Sequence, residues 1–252
     1  RLTRLNHFLV TDIDDTLIGE ENPDLETLIS LIRAHREHFG FFVATGRTVD
    51  SATEYLAEHG VPAPDIIISS VGSEIYYGKK LVYGKGWDTH ISSQWNRERI
   101  VRLLEDVPFL EYQEEDTQRP FKASYFMDPG KDLLAKVHDR LVRHKVRYNL
   151  IYSSETYLDI LPFRASKGKA LRYISYKWGI PLANFLVCGD SGNDEEMLRG
   201  EPKAVVVGNH TSDLEPLKGT RNVYFAKKYY AGGILEAIKH YNFIDKAKEE
   251  SH

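Results

Sequence analysis

The sequence has almost none of the residues that stabilise a chain by means other than a hydrophobic core, such as disulfides or a zinc cluster. Cys188 is the single cysteine among 252 residues, so no disulfide can form within the chain and nothing indicates a zinc cluster. No apolar run reaches the roughly 18 residues of a membrane span, and the start of the chain lacks the pattern of a signal peptide. We therefore expect no membrane partner and take the cytoplasm as the default location.

An excess of positive charge is also missing. The 33 Lys and Arg residues face 37 Asp and Glu residues, which gives a formal net charge of -4. Nucleic-acid binding depends on a basic excess, so we expect no nucleic-acid partner. The hydrophobic fraction of 42% is ordinary for a globular protein with a substantial core. The first residue is Arg1 and not methionine, so we expect the chain to be a segment of a longer polypeptide.

Strand and helix patterns alternate in the first 70 residues and again after residue 166. Residues 8–10 and 41–44 are short apolar runs that indicate buried strands, and the apolar stripe from Leu25 to Ile32 has the spacing of a helix. Such alternation is typical of parallel strands joined by right-handed crossovers. We predict an α/β fold with a doubly wound, mostly parallel, Rossmann-like core sheet.

The pattern changes in the middle of the chain. Residues 74–77 and 81–83 predict a β-hairpin, and beyond it helices and strands no longer alternate regularly. We predict that an α+β domain is inserted here into the core. The predicted boundaries give a core made of residues 1–83 and 162–252 and a cap domain made of residues 84–161.

Acidic residues directly follow the first predicted strand. Asp12 and Asp14 are two residues apart, so in an extended chain their side chains point the same way. Two carboxylates in one place repel each other unless a cation lies between them, and Mg²⁺ prefers such oxygen ligands. Aspartates are also common in plain turns after strands, so this pair alone does not establish a site.

Three further polar clusters favour a catalytic site over a turn. Thr45, Gly46 and Arg47 follow the second strand and offer a hydroxyl, a bare backbone amide and a guanidinium to a phosphate. Lys167 precedes the helix that follows the cap segment, and its ammonium can neutralise a phosphoryl group and a nearby carboxylate. Residues 189–194 add two carboxylates and an asparagine. Open α/β sheets bind their ligands at this end of the strands.

The four motifs, in this order, resemble the signature of the haloacid dehalogenase superfamily. The resemblance implies a phosphatase in which Asp12 is the nucleophile, Asp14 is the general acid and then the general base, and Lys167 neutralises charge. It also implies a Mg²⁺ cofactor. The predicted metal ligands are Asp12, Asp14 through its backbone carbonyl, Asp190 and Asp194. The predicted substrate-binding residues of the core motifs are Thr45, Gly46, Arg47 and Asn193.

The position of the cap narrows the resemblance. Only about six residues separate Thr16 from Pro23, too few for a domain, so the cap is the later segment, an arrangement called C2. Four stretches resemble sucrose-phosphatases and the sucrose-phosphatase-like carboxyl-terminal domain of sucrose-phosphate synthases: residues 71–76, 121–126, 158–162 and 187–194.

This closer resemblance implies a substrate and a pathway. It implies Mg²⁺-dependent hydrolysis of a disaccharide phosphate, sucrose 6-phosphate, in sucrose biosynthesis. Glu74 and Lys122 are the predicted sugar contacts, because a carboxylate and an ammonium both hydrogen-bond sugar hydroxyls. The resemblance also leaves open a fusion to, or an association with, a glycosyltransferase of the sucrose-phosphate synthase kind.

Three other functions stay open at this point. A phosphomutase must hold a second phosphate, and the charge-balanced cap segment shows no clustered arginines. A non-catalytic regulatory domain fused to a glycosyltransferase would often lack some of the carboxylates, whereas all of them stand here. A phosphatase for mannosylfructose phosphate or glucosylglycerol phosphate stays open, because Phe126 stands where a relative can carry a polar residue.

Overall fold

The computed structural model describes residues 2–249, apart from the side chains of residues 3 and 131. Its strands are β1 (His7–Thr11), β2 (Phe39–Ala44), β3 (Ile66–Ser69), β4 (Glu74–Tyr77), β5 (Val82–Tyr83), β6 (Leu110–Tyr112), β7 (Ala123–Met127), β8 (Asn149–Ser153), β9 (Tyr157–Leu161), β10 (Phe185–Gly189), β11 (Lys203–Val206) and β12 (Val223–Phe225).

The helices follow the same pattern of core and insertion. They are α1 (Leu25–Ala34), α2 (Val49–Glu58), α3 (Lys85–Ile91), α4 (Arg97–Leu104), α5 (Lys131–Arg143), α6 (Lys167–Trp178), α7 (Glu195–Leu198), α8 (Tyr230–His240) and α9 (Phe243–Glu249). None of the helices in the described part of the chain has the length and apolarity that crossing a membrane requires.

The larger sheet has the order β12-β11-β10-β1-β2-β3-β4-β5. Strands β12 to β3 in this order are parallel to their neighbours, and β4 and β5 are antiparallel. Every residue of β1 is buried, and its side chains alternate between two hydrophobic clusters, with Phe8 and Val10 in one and Leu9 in the other. A sheet covered on both faces requires such continuously apolar strands. The prediction of a doubly wound α/β core is confirmed.

Strand β1 lies inside this sheet, between β10 and β2. Because the three strands are parallel, the residues that follow them meet at one edge. The amide of Asp12 extends the ladder by donating to the carbonyl of Cys188 at 3.0 Å. This edge therefore carries the motif residues that follow Thr11, Ala44 and Gly189.

A smaller antiparallel sheet, with the order β6-β7-β9-β8, lies within the predicted cap segment. Helices α4 and α5 cover it, and Ile100, Tyr125 and Val137 belong to a hydrophobic cluster separate from those of the core. Helix α3 differs, because Trp87 and Ile91 pack in a core cluster. The domain limits stay a prediction, and this packing favours a cap that begins after α3.

Candidate active site

A cavity of about 720 Å³ lies between the carboxyl edge of the core sheet and the cap. Asp12 lies on its wall with only 4% of its surface exposed. The ammonium nitrogen Nζ of Lys167 lies 3.0 Å from Oδ1 of Asp12. A fully buried cation therefore stands beside the predicted nucleophile.

Lys167 reaches this position from the first turn of α6. Ser166 caps that helix, since its Oγ accepts from the amide of Lys169 at 2.9 Å. Besides Asp12, Nζ donates to Oδ1 of Asp194 at 2.8 Å and to Oδ1 of Asn193 at 2.6 Å. Burial acts to lower the pKa of Lys167, but Asp12 and Asp194 outweigh it, and the pKa is raised. The ammonium stays charged at neutral pH.

Carboxylates outnumber cations in this part of the site. Oxygen atoms of Asp12, Asp190 and Asp194 lie within 4.8 Å of one another, and all three residues are buried. Burial raises the pKa of Asp12 well above its usual range, and burial followed by the charge of Asp194 raises the pKa of Asp190 to about 7. Three buried carboxylates against one ammonium fit a divalent metal ion, which would offset the remaining negative charge.

Asp194 also organises the loop around it. Its Oδ2 accepts from the amides of Asp190 and Ser191, while Oδ1 accepts from Lys167. The hydroxyl of Thr16 donates to Oδ1 of Asp190 at 2.6 Å. Asp190 thus keeps one oxygen for a metal, whereas both oxygens of Asp194 already have donors.

Asp14 lies apart from this carboxylate cluster. Both of its oxygens accept from Arg47, with distances of 3.0 and 2.9 Å from Nε and 2.7 Å from Nη2. The guanidinium also donates to Oγ of Ser51 and lies 3.8 Å from the ring centroid of Tyr55. The hydrogen bonds that Arg47 donates to Asp14 raise the pKa of Arg47. Arg47, predicted to bind phosphate, holds the predicted general acid in this structure.

Thr45 and Gly46 have different surroundings. Thr45 is fully buried, its amide donates to the carbonyl of Ile68, and its Oγ1 accepts from the amide of Arg47 at 3.1 Å. Gly46, Arg47 and Asn193 line the cavity. Thr45 does not line the cavity in the described chain, and the phosphate-binding roles of all four residues stay predictions.

The cap side of the cavity carries a second buried ion pair. Lys122 is 4% exposed, and its Nζ lies 3.6 Å from Oδ1 of Asp159, which accepts from Oγ of Ser124 at 2.6 Å. Lys122 and Asp159 both line the cavity. They bring a donor and an acceptor together, which is the arrangement that a sugar hydroxyl needs.

Glu74 is not part of the cavity wall in the described chain. Its Oε2 accepts from the hydroxyls of Ser69 and Ser70, each at 3.2 Å, and its Oε1 lies 3.8 Å from Nε of Arg119. This placement does not support the predicted direct contact with a sugar.

Sequence reasoning did not predict five charged residues that line the cavity: Asp15, Asp50, Asp116, Arg119 and Asp159. Arg119 and Asp159 matter most here, because each forms an ion pair between charged side chains of the site. Asp159 stands between Leu158 and Ile160 in a strand, and such alternation of apolar and polar residues is typical of any half-buried strand, so it did not indicate a cavity residue. Arg119 lies in a polar loop, and its position three residues before Lys122 indicates nothing by itself.

The side chains of the site bring a buried carboxylate–ammonium pair and a cluster of carboxylates together at the carboxyl edge of the core sheet. A doubly wound sheet with an aspartate after its central strand and an inserted cap is typical of the phosphatases of the haloacid dehalogenase superfamily. The chain matches the family described as sucrose-6F-phosphate phosphohydrolase over residues 5–242. It belongs to that family, which confirms the resemblance found in the sequence.

Similar proteins agree with this assignment. The probable sucrose-phosphatase 2 of Arabidopsis thaliana is 33% identical over 92% of this chain, and the chain spans 59% of that relative's length. The glucosylglycerol-phosphate synthase of Pseudomonas anguilliseptica is also 33% identical, over 94% of this chain and 31% of the synthase. The structure of the sucrose-phosphatase from Synechocystis sp. PCC6803, in complex with sucrose and phosphate, superposes with a TM-score of 0.88 at 30% identity, covering 94% of this chain and 98% of that one.

The raised pKa of Asp190 predicts how the metal-free protein responds to pH. The folded-state pKa of about 7 exceeds the unfolded value, which is about 3.9. Between these values the folded protein keeps a proton that the unfolded chain has lost, so stability falls as pH rises through this window and levels off above it. Asp190→Asn cannot ionise. We expect its melting temperature, relative to wild type, to rise by several degrees between about pH 4 and pH 7.

Thermal unfolding in excess chelator at a series of pH values measures this difference. Asp132→Asn, which removes an exposed carboxylate on α5, is the matched control and should follow the wild-type profile. If the melting temperatures of Asp190→Asn and wild type changed in parallel with pH, this result would contradict the raised pKa of Asp190.

Proposed function

We propose that the chain is a Mg²⁺-dependent phosphatase that hydrolyses sucrose 6-phosphate through a phospho-aspartyl intermediate. The observation that carries the proposal is the buried Asp12–Lys167 contact, beside the carboxylates of Asp190 and Asp194 and at the wall of a cavity closed by the cap. The family and the similarity to a sucrose-phosphatase bound to sucrose and phosphate support the substrate. The chain spans only 59% of the length of the plant relative, so we propose this activity for the chain by similarity to a longer protein.

The first half of the proposed reaction transfers the phosphoryl group to the protein. A carboxylate oxygen of Asp12 attacks phosphorus, the bond from phosphorus to the sugar oxygen breaks, and the leaving oxygen takes a proton from Asp14. Lys167 balances the charge of the nucleophile. Mg²⁺ would be held by Asp12, the backbone carbonyl of Asp14 and Asp190, with Asp194 supporting these ligands or joining them. The ion would supply electrostatic shielding of the phosphoryl oxygens.

The second half returns the protein to its starting state. Asp14 takes a proton from a water molecule, whose oxygen attacks phosphorus and displaces the Asp12 carboxylate. Phosphate leaves, and Asp14 carries the proton for the next turnover. Asp14 must exchange its two-oxygen contact with Arg47 for contacts to the leaving group and to water. The phosphate of the substrate is an alternative partner for that guanidinium.

Another sugar phosphate is the second candidate substrate. The similarity to a glucosylglycerol-phosphate synthase, of which the chain spans 31%, favours this candidate and a phosphatase-like segment of a longer synthase. A phosphomutase is less well supported, because the cap brings Arg119 and Lys122 to the cavity and each already faces a carboxylate. Phosphate release from sucrose 6-phosphate, mannosylfructose phosphate, glucosylglycerol phosphate and simpler sugar phosphates tests these alternatives. Sucrose 6-phosphate should have the highest kcat/KM.

Asp12→Asn tests the nucleophile. The substitution nearly preserves size but removes the attacking charge, so we expect turnover to fall by several orders of magnitude, on the scale of other essential nucleophiles. Acid quenching of the wild type during turnover should trap a phosphorylated aspartate that the variant lacks. Retention of a tenth of wild-type turnover would rule out the phospho-aspartyl mechanism.

Metal replacement tests the cofactor. We expect activity to disappear in excess chelator and to return with Mg²⁺, since one ammonium does not balance the three buried carboxylates. Ca²⁺ should compete with Mg²⁺ and inhibit, because its larger and looser coordination spoils in-line attack geometry. Full activity of the chelated enzyme would contradict the metal role of the carboxylates.

Lys122→Ala tests sugar recognition by the cap. A hydrogen bond from a charged donor contributes roughly 1.5–3 kcal/mol, or about one to two decades in kcat/KM. We expect a loss of that size with sucrose 6-phosphate and a loss within about threefold with p-nitrophenyl phosphate, which has no sugar to hold. Melting temperatures serve as the control, since the variant leaves Asp159 without its cation. Equal losses on both substrates would mean that Lys122 acts on the phosphoryl site.

A further inference from the structure

The turn between β3 and β4 holds an unusual backbone conformation. Ser70, Val71 and Gly72 have φ values of 51°, 59° and 92°, so three consecutive residues are left-handed. Such a conformation is costly for a β-branched residue such as Val71, and the surrounding structure must hold it in place. All three residues are buried. The turn belongs to none of the four motifs of the site, yet it lies beside two of them.

Backbone contacts tie this turn to the phosphate-binding end of the cavity. The amide of Ser70 donates to the carbonyl of Arg47 at 2.8 Å, and the amide of Val71 donates to the carbonyl of Thr45 at 3.0 Å. Gly72 packs directly on the backbone that leads into Lys167, where a Cβ atom would lie 2.4 Å from the Lys167 nitrogen. These contacts hold the turn in a fixed place relative to Thr45, Arg47 and Lys167.

Glu74 connects this turn of the core to the cap. The hydroxyls of Ser69 and Ser70 fix one of its oxygens, and the other faces Arg119, a cavity-wall residue of the cap, at 3.8 Å. The Glu74 side chain is 8% exposed and that of Arg119 is 23% exposed, so water screens this pair less than a surface ion pair.

Arg119 is in turn hydrogen-bonded to Lys122 through the backbone. Nη1 of Arg119 donates to the carbonyls of Asp116 and Gln118, at 2.8 and 2.6 Å. The amide of Lys122 donates to the carbonyl of Arg119 at 3.0 Å, and the reverse bond is 3.4 Å long. These bonds place the backbone of Lys122, whose side chain faces Asp159, directly against that of Arg119.

We propose that Glu74 is a positioning residue: it holds Arg119, and through Arg119 the residue Lys122, at a set distance from the phosphate-binding end of the cavity. This inference rests on the proposed function and concerns its specificity. Glu74 acts through Arg119 and does not touch the sugar. The ion pair matters for substrates that reach both the core and the cap, and matters less for a small aryl phosphate that reaches only the core.

A double-mutant cycle tests the proposal. The readout is the ratio of kcat/KM for the sugar phosphate that the wild type turns over best to kcat/KM for p-nitrophenyl phosphate. Glu74→Gln keeps an acceptor for Ser69 and Ser70 but loses the charge that attracts Arg119. We expect this variant and Arg119→Gln each to lower the ratio about tenfold, mainly through KM for the sugar phosphate. The double variant should also lower it about tenfold, because residues in one ion-pair network are not additive.

The control is a comparable ion pair far from the cavity. Arg36 and Asp65 lie 2.8 Å apart with side chains 18% and 13% exposed, so Asp65→Asn removes one partner of a shielded pair within the core. We expect this variant to lower the melting temperature and to leave the ratio at the wild-type value. A fall in the ratio for Asp65→Asn would mean that general loss of stability, and not positioning, moves the readout.

Two results would overturn the inference alone. An unchanged ratio for Glu74→Gln in an active enzyme would show that the core carboxylate does not position the cap. An additive loss of about a hundredfold in the double variant would show two independent contacts. If Glu74→Gln fails to fold, Arg119→Lys carries the test, because it keeps a charge for Glu74 and should retain most of the ratio that Arg119→Gln loses. A wild type with no turnover of any sugar phosphate would overturn the proposed function itself.

Discussion

The rest of the structure depends on one constraint: charged side chains are buried at the edge of the core sheet, and each must have a partner. Asp12, Asp194 and Lys167 are almost entirely shielded from solvent, and a buried charge without a partner destabilises a protein strongly. Lys167 meets two carboxylates at 3.0 and 2.8 Å, which joins the first strand, the helix after the cap and the loop after β10. Gly189 permits this approach, because a Cβ atom there would lie 2.5 Å from Cβ of Asp194.

The same rule organises the cap side of the cavity. Lys122 faces Asp159, and Arg119 faces Glu74, so each of the two cations that the cap brings to the cavity is paired with a carboxylate before a substrate arrives. A phosphate or a sugar hydroxyl must therefore compete with a carboxylate for each cation. Competition of this kind favours ligands that offer several acceptors at the correct spacing, which a sugar phosphate does and a simple anion does not.

Much of the fold could be predicted because its local patterns and its tertiary contacts agree. The apolar run after residue 7 predicts a buried strand, and β1 is one. The hairpin predicted from residues 74–83 is present as β4 and β5. The limits of the cap were less visible, since α3 follows the hairpin in sequence but packs through Trp87 on the core. The sequence shows that Trp87 is apolar enough to be buried, but it does not show whether Trp87 packs in the hydrophobic core of the main domain or in that of the cap.

The sequence by itself determined which residues follow the core strands, and parallel pairing then brings Asp12, Thr45 and Asp190 to one edge. The sequence also placed Lys167 just before a helix, and in the structure it is the first residue of that helix, which Ser166 caps. Only the tertiary structure decided which charges pair. Arg47 holds Asp14 and Glu74 faces Arg119, contacts between residues 33 and 45 positions apart in the chain. Coulombic attraction depends on distance and on exclusion of water, and neither can be read from the order of residues before the chain has folded.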